Sequence, residues 1–233
     1  MNILVVNDDG VFHQGIKILA EELKTYGKVF VVVPHRARSA ASHSIVLTRP
    51  LSFEKIDDIV EGVTTYQTDG KPVDCVRLAT SILDVKFDFV FSGVNNGLNI
   101  GTDIIYSGTV AAAREGFIEH INSIALSCDR NFNIVKKEIK NLLKYVFENK
   151  IYSTDYTVNI NWPTENFNES KGIKFTKQGV KRFKTEYEQN KDGKYVVKED
   201  IITYDKNEDT DVFLASEGYI TITYLDVNLN YKK

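Results

Sequence analysis

The sequence predicts an α/β protein: a Rossmann-like, mostly parallel sheet flanked by helices, followed by a C-terminal part that carries a protruding β-hairpin. Three observations lead there. Apolar runs at Asn2–Val6, Lys28–Val33 and Phe87–Phe91 are hydrophobic without alternation, as strands covered on both faces must be. A helical pattern separates the first two, giving the β-α-β order of a parallel sheet. After about residue 150 the pattern changes to polar–apolar runs around Asp192-Gly193, a hairpin turn signal.

In chain order, the first strand breaks at Asn7-Asp-Asp-Gly10, and a helix follows near His13–Tyr26, with Ile16, Leu19, Ala20 and Leu23 as its apolar stripe. The second strand ends at Pro34. A polar loop, His35–Ser44, then leads to weaker strand signals at Ile45–Ile56 and Gly62–Thr68 and to a helix around Val73–Leu83. The third buried strand ends at Ser92, where an Asn/Gly-rich segment runs to Gly101. Ser107 or Thr109 opens a helix of small residues that can pack close to the sheet. Ser123–Ser127 reads as a strand and Asn133–Asn149 as a helix. Beyond residue 150, Asp155–Asn161 is a strand and Val180–Glu188 with Tyr195–Tyr204 form the hairpin. A short helix at Thr210–Ser216 and a strand at Tyr219–Leu225 close the chain. We therefore divide it into a catalytic core, residues 1–150, and a hairpin and oligomerisation part, residues 151–233.

Composition narrows the function. A net charge of −3 gives no electrostatic attraction to duplex nucleic acid or to anionic membrane. No apolar run approaches the roughly 18–20 residues of a membrane span, and the first apolar run stops at Val6 without a basic leader, so a cytoplasmic protein is expected. Cys75 and Cys128 lie in apolar surroundings and are expected as buried free thiols.

The chemistry belongs at the carboxyl ends of the strands, where open α/β sheets bind their ligands. Asp8 and Asp9 sit at such an end. Two adjacent carboxylates either cap the next helix or share a cation. Ser39 and Asn95, in loops after the second and third strands, add neutral oxygens, and an all-oxygen set suits Mg²⁺ or Mn²⁺ rather than zinc. Ser107-Gly108-Thr109 at a helix N-terminus suits a phosphate. The histidines at 13, 35, 43 and 120 show no ligand spacing. They are expected on the surface or on helix faces, with His43, nearest the site, also a candidate for supporting the ligand residues from behind. Arg36 and Arg38 are candidates for attracting an anionic substrate.

Taken together, Asn7-Asp-Asp-Gly10, Arg38-Ser39, Pro72-Val-Asp-Cys-Val76, Ser92-Gly-Val-Asn-Asn-Gly-Leu-Asn-Ile-Gly101, Tyr106-Ser-Gly-Thr-Val110 and Gly218-Tyr-Ile-Thr-Ile-Thr223 resemble the SurE family of survival-protein phosphatases. The resemblance runs the length of the chain. It implies a divalent-metal-dependent 5′- and 3′-nucleotidase, with short polyphosphate as a further substrate and one Mg²⁺ or Mn²⁺ per subunit. It also implies that Asp8, Asp9, Ser39 and Asn95 bind the metal, that Asn95 lies near the phosphate, and that Ser107–Thr109 line the phosphate pocket. A homodimer or homotetramer with an exchanged C-terminal part is implied as well. Ala40 stands where the family often has glycine, and Lys71 and Val73 replace smaller residues, which leaves the metal site intact.

The expected reaction is in-line attack on phosphorus by a water activated at Asp8 and Asp9, with Asn95, Ser107 and Thr109 stabilising the equatorial oxygens. A phosphorylated aspartate is the alternative, but the adjacent pair lacks the spaced Asp-x-Asp of such enzymes. A receiver-like Mg²⁺-binding domain or a passive nucleotide-binding module are the non-catalytic rivals. Leu51–Ile56 is too poor a buried strand for the former.

Overall fold

The computed structural model describes residues 1–204 and 207–228. Within the expected C-terminal part, 205–206 and 229–233 lie outside the described residues. In chain order the elements are β1 (Asn2–Val6), α1 (Gln14–Leu23), β2 (Lys28–Pro34), β3 (Glu54–Ile56), β4 (Thr64–Thr68), α2 (Pro72–Ile82), β5 (Phe89–Asn96), α3 (Asp103–Tyr106) and α4 (Gly108–Ile118). There follow β6 (Asn122–Cys128), α5 (Phe132–Glu148), β7 (Thr157–Asn161), β8 (Ile173–Thr176), β9 (Lys181–Gln189), β10 (Tyr195–Tyr204), α6 (Asp211–Ser216) and β11 (Ile220–Leu225).

Nine strands form one sheet in the order β3-β4-β2-β1-β5-β6-β7-β11-β8. From β4 to β7 every pairing is parallel, with Leu4 opposite both Phe30 and Val90. β3 and β11 each run antiparallel to a neighbour, and β8 pairs parallel with β11. The side chains of β1 show why the central strands lack alternation. Ile3 and Val5 pack on one face with Ile16 and Leu19 of α1 and Ile139 and Leu143 of α5. Leu4 and Val6 pack on the other with Cys75, Val76 and Ala79 of α2 and Ala112 of α4. Both faces are covered, so both residue parities are apolar. The small residues of α4 allow a close approach: a Cβ at Gly116 would stand 2.8 Å from the Val90 side chain. Cys75 and Cys128 are buried free thiols.

Several elements differ from the sequence reading, each for a visible reason. Of Ile45–Ile56 only Glu54–Ile56 is a strand, because backbone donors upstream bond to carboxylates instead of to a ladder. Val46 N–H donates to Asp74 (3.2 Å) and Ser52 N–H to Asp69 (2.8 Å). β5 does not stop at Ser92 but continues to Asn96, with its pairing to β6 irregular between Ser92 and Asn95. Gly93 lies there at φ 132°, where a Cβ would stand 2.3 Å from Leu126 O. β8 has no counterpart in the sequence reading, being short and largely exposed or half-buried.

Past residue 150 the chain contributes in two ways. β7, β11 and β8 extend the core sheet, while among the described residues β9 and β10 pair only with each other as a separate two-stranded hairpin.

Candidate active site

The sheet runs from β1 outward to β2 and β4 on one side, then returns to β5 on the other. The crevice at the carboxyl ends of β1 and β5 is the topological switch point, where this architecture leaves room for a ligand. Asp8 and Asp9 follow β1 in a turn clamped by Asn7. The Asn7 amide nitrogen donates to Gly10 O (2.8 Å), and its oxygen accepts Gly10 N–H (3.2 Å). Gly10 lies at φ 90°, which suits a residue without Cβ. Arg38 N–H donates to the Asp8 carbonyl (2.7 Å), so the loop after β2 is drawn against this turn and Ser39 arrives beside the carboxylates.

A pocket of about 200 Å³ results, lined by Asp8, Asp9, Ser39, Ala40, Asn95, Asn96, Asn99, Asp103, Tyr106 and Ser107. Asp8, Asp9, Ser39, Asn95 and Ser107, singled out from sequence, therefore converge. Asn95 donates its amide N–H to Gly97 O (2.8 Å), which leaves its oxygen as the atom able to hold a cation. Asp9 accepts the Asn96 N–H (3.3 Å).

Thr109 is placed differently from the expectation. Ser107 caps α4 by accepting Val110 N–H (3.1 Å), which sets Thr109 in the first turn pointing inward. Thr109 is fully buried, does not line the pocket, and donates its hydroxyl to Asp8 Oδ1 at 2.5 Å. Its hydroxyl is thus committed to the Asp8 carboxylate. Gly108 lies between them, where a Cβ would stand 3.2 Å from both Cβ and Oδ2 of Asp8.

The electrostatics favour a cation. Burial pushes Asp8 from 3.8 up to about 6, with the charge of Asp9 adding to the rise and the Thr109 hydrogen bond opposing it. His13 Nδ1 lies 3.3 Å from Asp9, but the same nitrogen accepts Gly15 N–H at 3.3 Å to cap α1. Among the described residues no three His, Cys, Asp or Glu side chains form a metal cluster. The donor set is two carboxylates and neutral oxygens, which fits an ion that keeps waters and shares substrate phosphate.

Sequence reasoning missed the supports. The Asn-x-x-Gly spacing at Asn7 is a side-chain turn signal that could have found it. Asn99 reads in sequence only as part of the Asn/Gly-rich segment. In the structure its N–H donates to Asn161 Oδ1 (2.8 Å), its side chain donates to Ser127 (2.8 Å), and its carbonyl accepts from Asn159 (2.8 Å). The C-terminal part adds Lys181, which pairs with Asp103 (2.5 Å), and Asp211, which accepts Gly101 N–H (3.0 Å). These partners are far apart in the chain and have no local signature. His43, which the sequence also offers as a support, has its Nε2 2.8 Å from Glu115.

Comparison with known proteins agrees with this architecture. The family model "Survival protein SurE" matches residues 3–185. A protein of Clostridium beijerinckii named 5′-nucleotidase SurE is 36% identical over 236 residues, covering 97% of this chain and 92% of that one. One of Trichodesmium erythraeum with the same name is 38% identical over 251 residues, covering 99% and 93%. The crystal structure of the SurE protein from Aquifex aeolicus superposes with a TM-score of 0.81 at 37% identity, over 99% of this chain and 95% of that one. With its acidic pair at the β1–β5 switch point and this likeness along its whole length, the chain belongs to the SurE family.

Proposed function

We propose that this protein is a divalent-metal-dependent 5′-nucleotidase, hydrolysing nucleoside monophosphates to nucleoside and phosphate. The observation that carries the reading is the desolvated Asp8–Asp9 pair, converging with Ser39 and Asn95 on one pocket. Relatives named 5′-nucleotidase at 36–38% identity over nearly the full length support the substrate class.

Asp8, Asp9, Ser39 and Asn95 would hold one Mg²⁺ or Mn²⁺, which supplies a Lewis acid for the phosphate and lowers the pKa of a water. Thr109 and Asn96 orient the two carboxylates, so neither swings freely. Ser107 and the first-turn N–H groups of α4 offer the positive end of the helix to anionic oxygens. Asp8, buried and tied to Thr109, is poorly placed to attack phosphorus itself, which favours water as the nucleophile.

The same reading takes 3′-monophosphates and short polyphosphate as secondary substrates, a cytoplasmic location, and a homodimer or homotetramer that exchanges residues from the 151–233 part. The exposed Tyr187, Tyr195 and Val197 of the hairpin favour such a partner. No described helix is long and apolar enough to cross a membrane.

Phosphate release from a panel of nucleoside 5′- and 3′-monophosphates, in chelator and then with Mg²⁺ or Mn²⁺, tests the proposal. Turnover restored by metal is expected. No turnover with either ion refutes the enzyme reading, and full turnover in chelator refutes the metal requirement.

A further inference from the structure

The loop that delivers Ser39 has an unusual backbone. Ala40 and Ser42 lie at φ 53° and 51°, in the left-handed region that disfavours any residue with a Cβ. Residues 39–53 form no helix or strand, so no ladder enforces this shape. Strained positions persist only where their surroundings over-determine them. Here the turn is held before Ser39 by Arg38 N–H on the Asp8 carbonyl (2.7 Å). After Ser39 it is held by Ser42 N–H on the Tyr106 carbonyl (2.9 Å) and by the His43 side chain on Glu115 (2.8 Å).

Glu115 is the unexpected member. It projects from α4, whose neighbouring buried residues are Ala111, Ala112, Ala113 and Gly116, yet its carboxylate is only 5% exposed. A buried carboxylate is costly unless it is paired. Glu115 receives two partners from two other segments: His43 from the loop and Arg77 of α2 at 3.2 Å. Burial alone would push its pKa up. The His43 hydrogen bond and the charges of His43 and Arg77 outweigh burial and hold it below the usual carboxylate value. The same helix bonds Asp8 through Thr109 and the loop through Glu115, so one rigid element references both walls of the pocket.

We propose that His43 is a positioning residue: by anchoring to Glu115, which Arg77 fixes from α2, it holds the strained turn that sets Ser39 beside Asp8 and Asp9. The inference rests on the reading of Ser39 as a metal donor, and the test separates the two.

Full-length wild type, His43→Ala, His43→Gln and the Ala40→Gly/His43→Ala double variant are compared. In the first arm, amide hydrogen exchange is followed in chelator. Ser42 N–H should exchange about tenfold faster in His43→Ala, while β1 and α4 amides keep their wild-type rates. In the second, Mn²⁺ alone is titrated calorimetrically. His43→Ala should bind about tenfold more weakly, as loss of an outer partner of a metal site does. His43→Gln, which can still donate to Glu115, should stay within about twofold of wild type. Adding Ala40→Gly to His43→Ala should recover about threefold, because glycine removes the strain that reopens the turn. Wild-type exchange at Ser42 together with wild-type Mn²⁺ affinity in His43→Ala overturns the proposal. Wild-type protein that binds no Mn²⁺ overturns the metal reading instead, and the exchange arm alone then decides the role of His43.

Discussion

Replacing Asp8 with asparagine should stabilise the metal-free protein while removing its activity, and the size of the effect follows from the site. Burial raises the Asp8 pKa from 3.8 to about 6 in the folded state. The folded protein therefore holds this proton more tightly than the unfolded chain does. Between these two values the unfolded state binds fewer protons, so stability falls as pH rises through the window and then levels off. A shift of roughly two units at about 1.36 kcal/mol each makes the loss about 3 kcal/mol above pH ~6. The amide introduced by Asp8→Asn would not ionise, and its oxygen would still accept the Thr109 hydroxyl. In chelator near neutral pH the variant should gain up to about 3 kcal/mol, or on the order of 6–12 °C in melting temperature for a chain of this size. Below about pH 4 the gain should vanish, since wild-type Asp8 is then protonated in both states. Mn²⁺ at roughly a hundred times its dissociation constant should return about 2.7 kcal/mol to the wild type and little to the variant. Thermal melts across pH, with and without Mn²⁺, measure all of this beside an assay of phosphate release. A variant no more stable than wild type in chelator, or one equally stabilised at about pH 4 and about pH 7.5, refutes the argument that Asp8 is held ionised against its surroundings.

Two other substitutions probe the walls of the site. Thr109→Val keeps shape but removes the donor to Asp8. It should lower kcat/KM at least about tenfold, the worth of a hydrogen bond to a charged group, and move the acidic limb of the pH–rate profile upward; an unchanged profile would show that Thr109 is only packing. Gly93→Ala would place a Cβ 2.3 Å from Leu126 O at φ 132°. Urea unfolding should show a loss of at least about 3 kcal/mol, and near-wild-type stability would mean that β5 and β6 can part there without cost.

The sequence makes some parts of this molecule plain and hides others for physical reasons. β1, β2, β5 and β6 are visible because strands buried on both faces must be apolar throughout, and Asp8, Asp9 and Asn95 are visible because they interrupt or end such strands. The continuation of β5 through Asn96 is hidden because Ser92, Asn95 and Asn96 are polar in a strand, a choice made for the pocket rather than the core. β8 is hidden because an outer strand with exposed side chains has no periodicity to betray it. Thr109 reads as a phosphate ligand because sequence gives the helix start but not which first-turn side chain faces inward. Glu115 has no signal in sequence that marks it as buried, and only the fold brings His43 and Arg77 to it.

The loop between β5 and α3 depends on residues made much later than itself. Asn99 leans on Asn159 and Asn161, Gly101 on Gln178 and Asp211, and Thr102 and Asp103 on Lys181. During synthesis the acidic pair is made long before the residues that complete the wall opposite it, the last of which is Asp211 of α6. A nascent chain can assemble β1, β2 and β5 and still lack a finished pocket. Completion of the pocket thus waits until α6 has been made, long after the acidic pair it faces.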